Sequence, residues 1–154
     1  MSMRHVVIDT NLAGAWSFAE IFSAEAGVVR AAVQDGDVVG VVPELFWAEF
    51  QQICLKKLQG PPPLPRSSVE HAYTDLVGLG LVDLPALQDL RKEALELCLD
   101  LGLGSYDAYF LALADALGLS VWTLDEAFSS RANADPGRPS RVLLIQGITA
   151  LPPT

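Results

Sequence analysis

The chain has only two cysteines, Cys54 and Cys98, in 154 residues. Neither belongs to a secretory pattern, so both read better as reduced core thiols within helical segments than as a disulfide framework. Histidine is equally scarce. His5 and His71 are the only two, and neither joins a Cys/His spacing suited to zinc. No uncharged apolar run reaches the roughly eighteen residues of a membrane helix, and the opening MSMRHVVIDTN meets an acid before a signal-peptide core can develop. These absences lead us to expect a soluble, cytoplasmic protein with no membrane partner. No G-x-S-x-G elbow is present, and the first strand-like run ends in DTN rather than D-x-D. That disfavours a serine hydrolase, a D-x-D phosphotransferase and a receiver domain.

Basic residues are also few. Ten stand against nineteen acids, for a net charge of -9, which argues against a nonspecific nucleic-acid coat or an anionic-membrane binder. Nucleic acid as a substrate is still compatible with this balance, provided a local group of carboxylates holds cations. The 51% hydrophobic content suffices for one compact core, so residues 1–154 are expected to form a single domain.

The apolar patterning alternates in kind along the chain. HVVI (5–8) reads as a strand closing at Asp9-Thr10-Asn11, a combination suited to a turn. A helix is predicted over 17–35, a buried strand over VVGVV (38–42), and a helix starting at Pro43 and running to Leu58. GPPPLP (60–65) ends that helix as a rigid corner. A helix over 67–77, a strand at 81–84 and a helix over 86–101 come next, then Gly102 and Gly104 interrupt before SYDAYFLALA (105–114). LSVWTLD (119–125) and RVLLI (141–145) read as strands on either side of a polar loop at 132–140. Alternation of this kind implies a parallel sheet covered on both faces, with ligands bound beyond the carboxyl ends of its strands.

Four acids stand out against that pattern. Asp9 and Asp125 each follow a strand, which directs both toward that carboxyl edge; each also suits a helix cap or an Asx turn. At about 100° per residue, Glu49 falls between Leu45 and Ile53 at the edge of an apolar face. Pairing with Lys56 would also explain it. Glu44 faces the polar side, as a first-turn dipole partner. By the same periodicity Asp107 falls between Leu111 and Ala114, inside the apolar stripe. An unpaired buried carboxylate is unfavourable, so Asp107 needs compensation, either from a helix start capped by Ser105 or from a partner elsewhere.

The four acids resemble the pattern of the PIN-domain nucleases, with the similarity closest to the VapC-like toxins of toxin–antitoxin pairs. The likeness spans nearly the whole chain. It rests on Asp9 in DTN, Glu49 in PELFWAEF, Asp107 in SYDAYFLALA and Asp125 in TLDEAF. YDAYFLALADALGLSVWTLDEAF is its most specific part. The resemblance implies a three-layer α/β/α sandwich with a central parallel sheet of about five strands, in which the acids hold one or two Mg²⁺ or Mn²⁺ ions. Two carboxylates about 4 Å apart repel by roughly 4 kcal/mol at an effective dielectric near 20, so four together need protons or cations. The all-oxygen donor set suits a hard ion.

The implied chemistry is hydrolysis of an RNA phosphodiester by metal-activated water. Asp9, Glu49, Asp107 and Asp125 would be both catalytic and metal-binding. Thr10, Asn11, Ser105 and Thr123 either orient metal-bound water or phosphate, or make capping and turn bonds. An antitoxin partner and a homodimer are implied as well. The alternatives are an RNA-processing enzyme of the same fold, or a non-catalytic binding or scaffold protein. Arg131, Arg138 and Arg141 are candidate phosphate contacts or ordinary surface charges. The aromatic segments GAWSFAEIF and ELFWAEF suit either a partner surface or the core.

Overall fold

The computed structural model describes residues 3–84 and 90–153. The elements in chain order are β1 (Arg4–Ile8), α1 (Thr10–Ser17), α2 (Ser23–Gln34), β2 (Val38–Pro43), α3 (Leu45–Gln59) and α4 (Arg66–Gly78), followed by β3 (Val82–Leu84), α5 (Leu90–Leu101), α6 (Ser105–Leu117), β4 (Val121–Thr123), α7 (Glu126–Ala132) and β5 (Val142–Leu144). The strands form one sheet in the order β3-β2-β1-β4-β5, and every neighbouring pair is parallel. Helices cover both faces in a three-layer α/β/α sandwich, as expected. Because both faces are covered, the central strands are apolar throughout rather than alternating: Val6, Val7 and Ile8 of β1 are all buried.

This strand order fixes where a site can form. The chain steps from β1 outward through β2 to β3, then returns to the other side of β1 for β4 and β5. The connections therefore diverge above the carboxyl ends of β1 and β4, leaving a crevice there.

Close packing is specific at Gly40 in β2. A Cβ at that position would lie 2.6 Å from Leu81 Cδ2 and 3.0 Å from Ile8 Cγ1. α6 is nearly encircled by core: Ala108, Phe110, Leu111, Ala112, Leu113 and Ala114 are all buried. It ends at Gly118, whose φ of 67° gives the left-handed cap that glycine adopts without strain. The aromatic segments pack inward. Trp16, Phe18, Phe46 and Phe50 belong to the core, with Phe18 and Phe50 stacked at 6.2 Å. Cys54 and Cys98 are free thiols.

The structure corrects several expected boundaries. The turn expected at Thr10-Asn11 and the helix expected over 17–35 are replaced by α1 and α2. Asp9 caps α1 by accepting from the Thr10 amide. The break follows because Phe18 is extended, with φ -131° and ψ 149°. Ser23 secures it, its hydroxyl accepting from the Glu20 amide and donating to the Phe18 carbonyl. Pro43 ends β2 opposite Leu84 instead of opening a helix; at the last strand position its missing amide costs little. Glu44 is then the N-cap residue of α3, without a side-chain capping bond.

Ser105 does not cap α6. Gly104 occupies that position and no side chain caps the helix. The strand expected over 119–125 narrows to Val121–Thr123. Residues 86–89 of the expected helix over 86–101 lie outside the described residues, and α5 covers its remainder. Among the described residues no single helix is long and apolar enough to cross a membrane.

Candidate active site at the carboxyl edge of the sheet

Four acids from four separate parts of the chain line one cavity of about 470 Å³. β1 delivers Asp9 at its carboxyl end, and the loop after β4 delivers Asp125. α3 contributes Glu49 from its second turn, and α6 contributes Asp107 from its first. Thr10, Asn11 and Lys56 also line this cavity. Ser105 does not; it borders a neighbouring cavity together with Tyr106 and Tyr109.

Asp9 is the most deeply held of the acids, only 5% exposed. Its Oδ1 accepts from the Thr10 amide at 2.7 Å and its Oδ2 from the Thr123 hydroxyl at 2.6 Å. Both bonds favour the ionised form, yet burial outweighs them and the charges of Asp107 and Glu49 add to it, raising Asp9 from 3.8 to about 7. Asp107 is half-buried and rises from 3.8 to about 6, through burial first and then repulsion from Asp125, partly offset by Arg131. Glu49 is raised too, chiefly by burial, with Asp107 adding to the effect. It accepts from the Thr10 hydroxyl at 3.1 Å and makes no ion pair with Lys56. The carboxylates thus interact as one electrostatic group.

Thr123 ties β4 to β1 from a fully buried position. Its oxygen also accepts from the Asp125 amide at 3.0 Å and from Asn11 Nδ2 at 3.2 Å. The Asn11 carbonyl in turn accepts from the Leu124 amide at 3.0 Å. Asp125 caps α7 by accepting from the Phe128 amide at 3.0 Å. The capping reading of Asp125 and its place at the cavity therefore both hold, since one oxygen suffices for the cap.

The arginines divide. Arg131 is the one whose charge reaches Asp107. Arg138 and Arg141 instead grip Asp115 at 2.6 and 2.8 Å, near the amino ends of β4 and β5 and away from the cavity. They bind protein, which corrects their reading as phosphate contacts. Sequence periodicity did not single out Tyr106 or Gln52 beside the acids. Neither gave a signal, because an exposed polar or amphipathic residue on a helix is ordinary.

The donor set, carboxylates with no Cys or His, fits an oxygen-coordinated divalent cation, and the mutual repulsion of the acids would be relieved by one. Among the described residues, however, no three acids stand close enough to form a ready-made ligand group.

Such a site lies at the switch point of a parallel α/β/α sandwich, where ligands of this fold class bind. The sequence matches the PIN domain family over residues 6–134, and the chain belongs to that family. The fold is also similar to that in the crystal structure of PAE2754 from Pyrobaculum aerophilum, with a TM-score of 0.65 at 14% identity over 85% of this chain and 81% of that one. At that identity the likeness concerns the fold alone. No curated protein matches the sequence.

Proposed function

We propose that this chain is a Mg²⁺- or Mn²⁺-dependent endoribonuclease that hydrolyses RNA phosphodiester bonds, and that it serves as the toxin of a toxin–antitoxin pair. One observation carries the chemistry: Asp9, Glu49, Asp107 and Asp125 arrive from four separated segments at a single cavity. Convergence of this kind is unfavourable for folding by itself, as the raised acids show, so a gain in function is its physical rationale.

Asp9, Glu49, Asp107 and Asp125 would hold the cation. When bound, it would supply activated water and stabilise charge on the attacking and leaving oxygens. The chain's own contribution is orientation. Thr123 and the Thr10 amide fix both oxygens of Asp9, and the Thr10 hydroxyl fixes Glu49. Asn11 braces Thr123 and the Leu124 amide, which holds the Asp125 loop beside β1. With a net charge of -9, a polyanionic substrate is not drawn in by bulk attraction, so local cations must provide it.

The toxin assignment, an antitoxin partner, a homodimer and a cytoplasmic location are supported by the resemblance in YDAYFLALADALGLSVWTLDEAF. The chemical reading is tested by incubating purified protein with RNA and Mn²⁺, with and without chelator, beside Asp9→Asn and Asp107→Asn. Cleavage that needs metal and vanishes in both variants supports the site; full activity in both refutes it. Induced expression should arrest growth and co-expression of a short neighbouring reading frame should relieve it. Harmless expression would favour the RNA-processing alternative.

A further inference from the structure

The acid cavity is the middle part of a longer trench. A second cavity of about 570 Å³ shares Asn11, Ile53 and Lys56 with it. A third, of about 610 Å³, shares Ala48 and Tyr106. All three lie along α3: the third borders its first turn at Leu45, the acids face its middle, and the second reaches its end at Gly60. At about 1.5 Å per residue the run from Leu45 to Gly60 spans roughly 22 Å. The trench therefore extends well beyond a single phosphodiester.

Its two junctions carry different chemistry. At one, Tyr106 is 56% exposed although it adjoins the buried core of α6, so more than half of it is open to a ligand. At the other, Lys56 is exposed and makes no ion pair among the described residues, whereas its neighbour Lys57 is paired with Glu20 at 2.9 Å. Lys56 lies two turns beyond Glu49 on the same helix, and Tyr106 adjoins Asp107. A flat apolar ring and an uncommitted cation thus flank the acids on opposite sides. The occupant that matches both is a chain carrying phosphates and accessible bases. Duplex RNA keeps its bases stacked inside, so it has no free face to offer the ring.

We propose that Tyr106 and Lys56 are the residues that position the RNA strand along α3, one base stacking on Tyr106 and a phosphate on the far side of the scissile bond being held by Lys56. These two side chains then determine which phosphodiester enters the acid cavity. The inference rests on the ribonuclease reading above.

The test is steady-state cleavage of a short fluorogenic single strand, and of the same sequence within a hairpin stem, across a series of NaCl concentrations. Wild type is compared with Tyr106→Ala, Tyr106→Phe, Lys56→Ala and Lys56→Arg. Loss of stacking should raise KM roughly tenfold in Tyr106→Ala with kcat little changed, while Tyr106→Phe stays near wild type. Lys56→Ala should flatten the dependence of log kcat/KM on log salt by about 0.7, and Lys56→Arg should restore it. The stem should be cut at least about tenfold more slowly than the free strand. If wild type cuts RNA but Tyr106→Phe fails like Tyr106→Ala, or Lys56→Ala keeps the full salt slope, or the stem is cut equally well, the trench proposal is overturned and the ribonuclease reading stands. Wild type that cuts no RNA overturns both.

Discussion

The Thr123 hydroxyl donates to Asp9 Oδ2 at 2.6 Å, joining residues 114 positions apart in sequence. The same oxygen accepts from the Asp125 amide and from Asn11. One buried hydroxyl thereby sets the position of two of the four acids.

Replacing Thr123 by Val keeps the shape but removes the donor to Asp9 and the acceptor for the Asp125 amide. Leaving buried polar groups unpartnered costs about 1–3 kcal/mol, so Tm should fall by roughly 3–9 °C. Asp9, already raised to about 7, should rise further because a bond favouring its charged form is lost. The acid limb of the cleavage pH profile, at fixed Mn²⁺, should move to higher pH. Thr123→Ser should restore both properties, and a Val variant unchanged in Tm and profile would show the hydroxyl to be idle.

Stability without metal should depend on pH in an unusual direction. Asp9 rises from 3.8 to about 7 and Asp107 from 3.8 to about 6, so between about pH 4 and 7 the folded chain retains protons that the unfolded chain has released. The stability these groups contribute is complete below their unfolded values and is lost as pH rises through about 6 and 7. Asp9→Asn removes the titrating charge and keeps an oxygen acceptor for the Thr10 amide; the new amide takes the place of Asn11 Nδ2 as a donor to the Thr123 oxygen, whose hydroxyl then turns to the Asn11 carbonyl. In chelator, this variant should melt above wild type at pH 8, with the difference shrinking toward pH 4. A variant less stable than wild type across that whole range would contradict the assigned direction.

Cation binding and protonation compete for the same oxygens, so Mn²⁺ should raise the Tm of wild type more at pH 7.5 than at pH 5.5. At a concentration about 100-fold above Kd, the gain corresponds to roughly 2.7 kcal/mol. Asp107→Asn should lose most of it. A shift of equal size in wild type and in Asp107→Asn, measured by differential scanning fluorimetry, would place the ion elsewhere.

What could be read from the sequence divides along physical lines. The sheet was legible because buried parallel strands are short apolar runs, and VVGVV and HVVI are bounded by polar residues or turns. Asp9 and Asp125 were legible as site candidates because each closes such a run. α1 was missed because Leu12, Ala13, Gly14, Ala15 and Trp16 are buried on every side, so no polar face marks a helical period. The Thr123 bonds join strands that neighbour in space but not in sequence, and no local pattern records them. Ser105 has the chemistry of a cap, but the extended residue is Gly104, with ψ 154°, and capping follows the backbone turn rather than the side-chain type.

The pair formed by Asp115 with Arg138 and Arg141 separates stability from activity. Asp115 is only 16% exposed at its side chain and accepts from both guanidinium groups, at 2.6 and 2.8 Å. Truncating it leaves two partly buried cations facing each other, whereas removing either arginine alone leaves the carboxylate one partner. Because the arginines are themselves about a quarter exposed, water screens much of the loss, and about 1–3 kcal/mol is expected for Asp115→Ala. Arg138→Ala should cost less. The trio lies near the amino ends of β4 and β5 while the acids lie beyond the carboxyl ends, so kcat and KM for RNA, measured well below the melting temperature, should be unchanged in both variants. A rise in KM with normal Tm in Arg138→Ala would instead make that arginine a substrate contact.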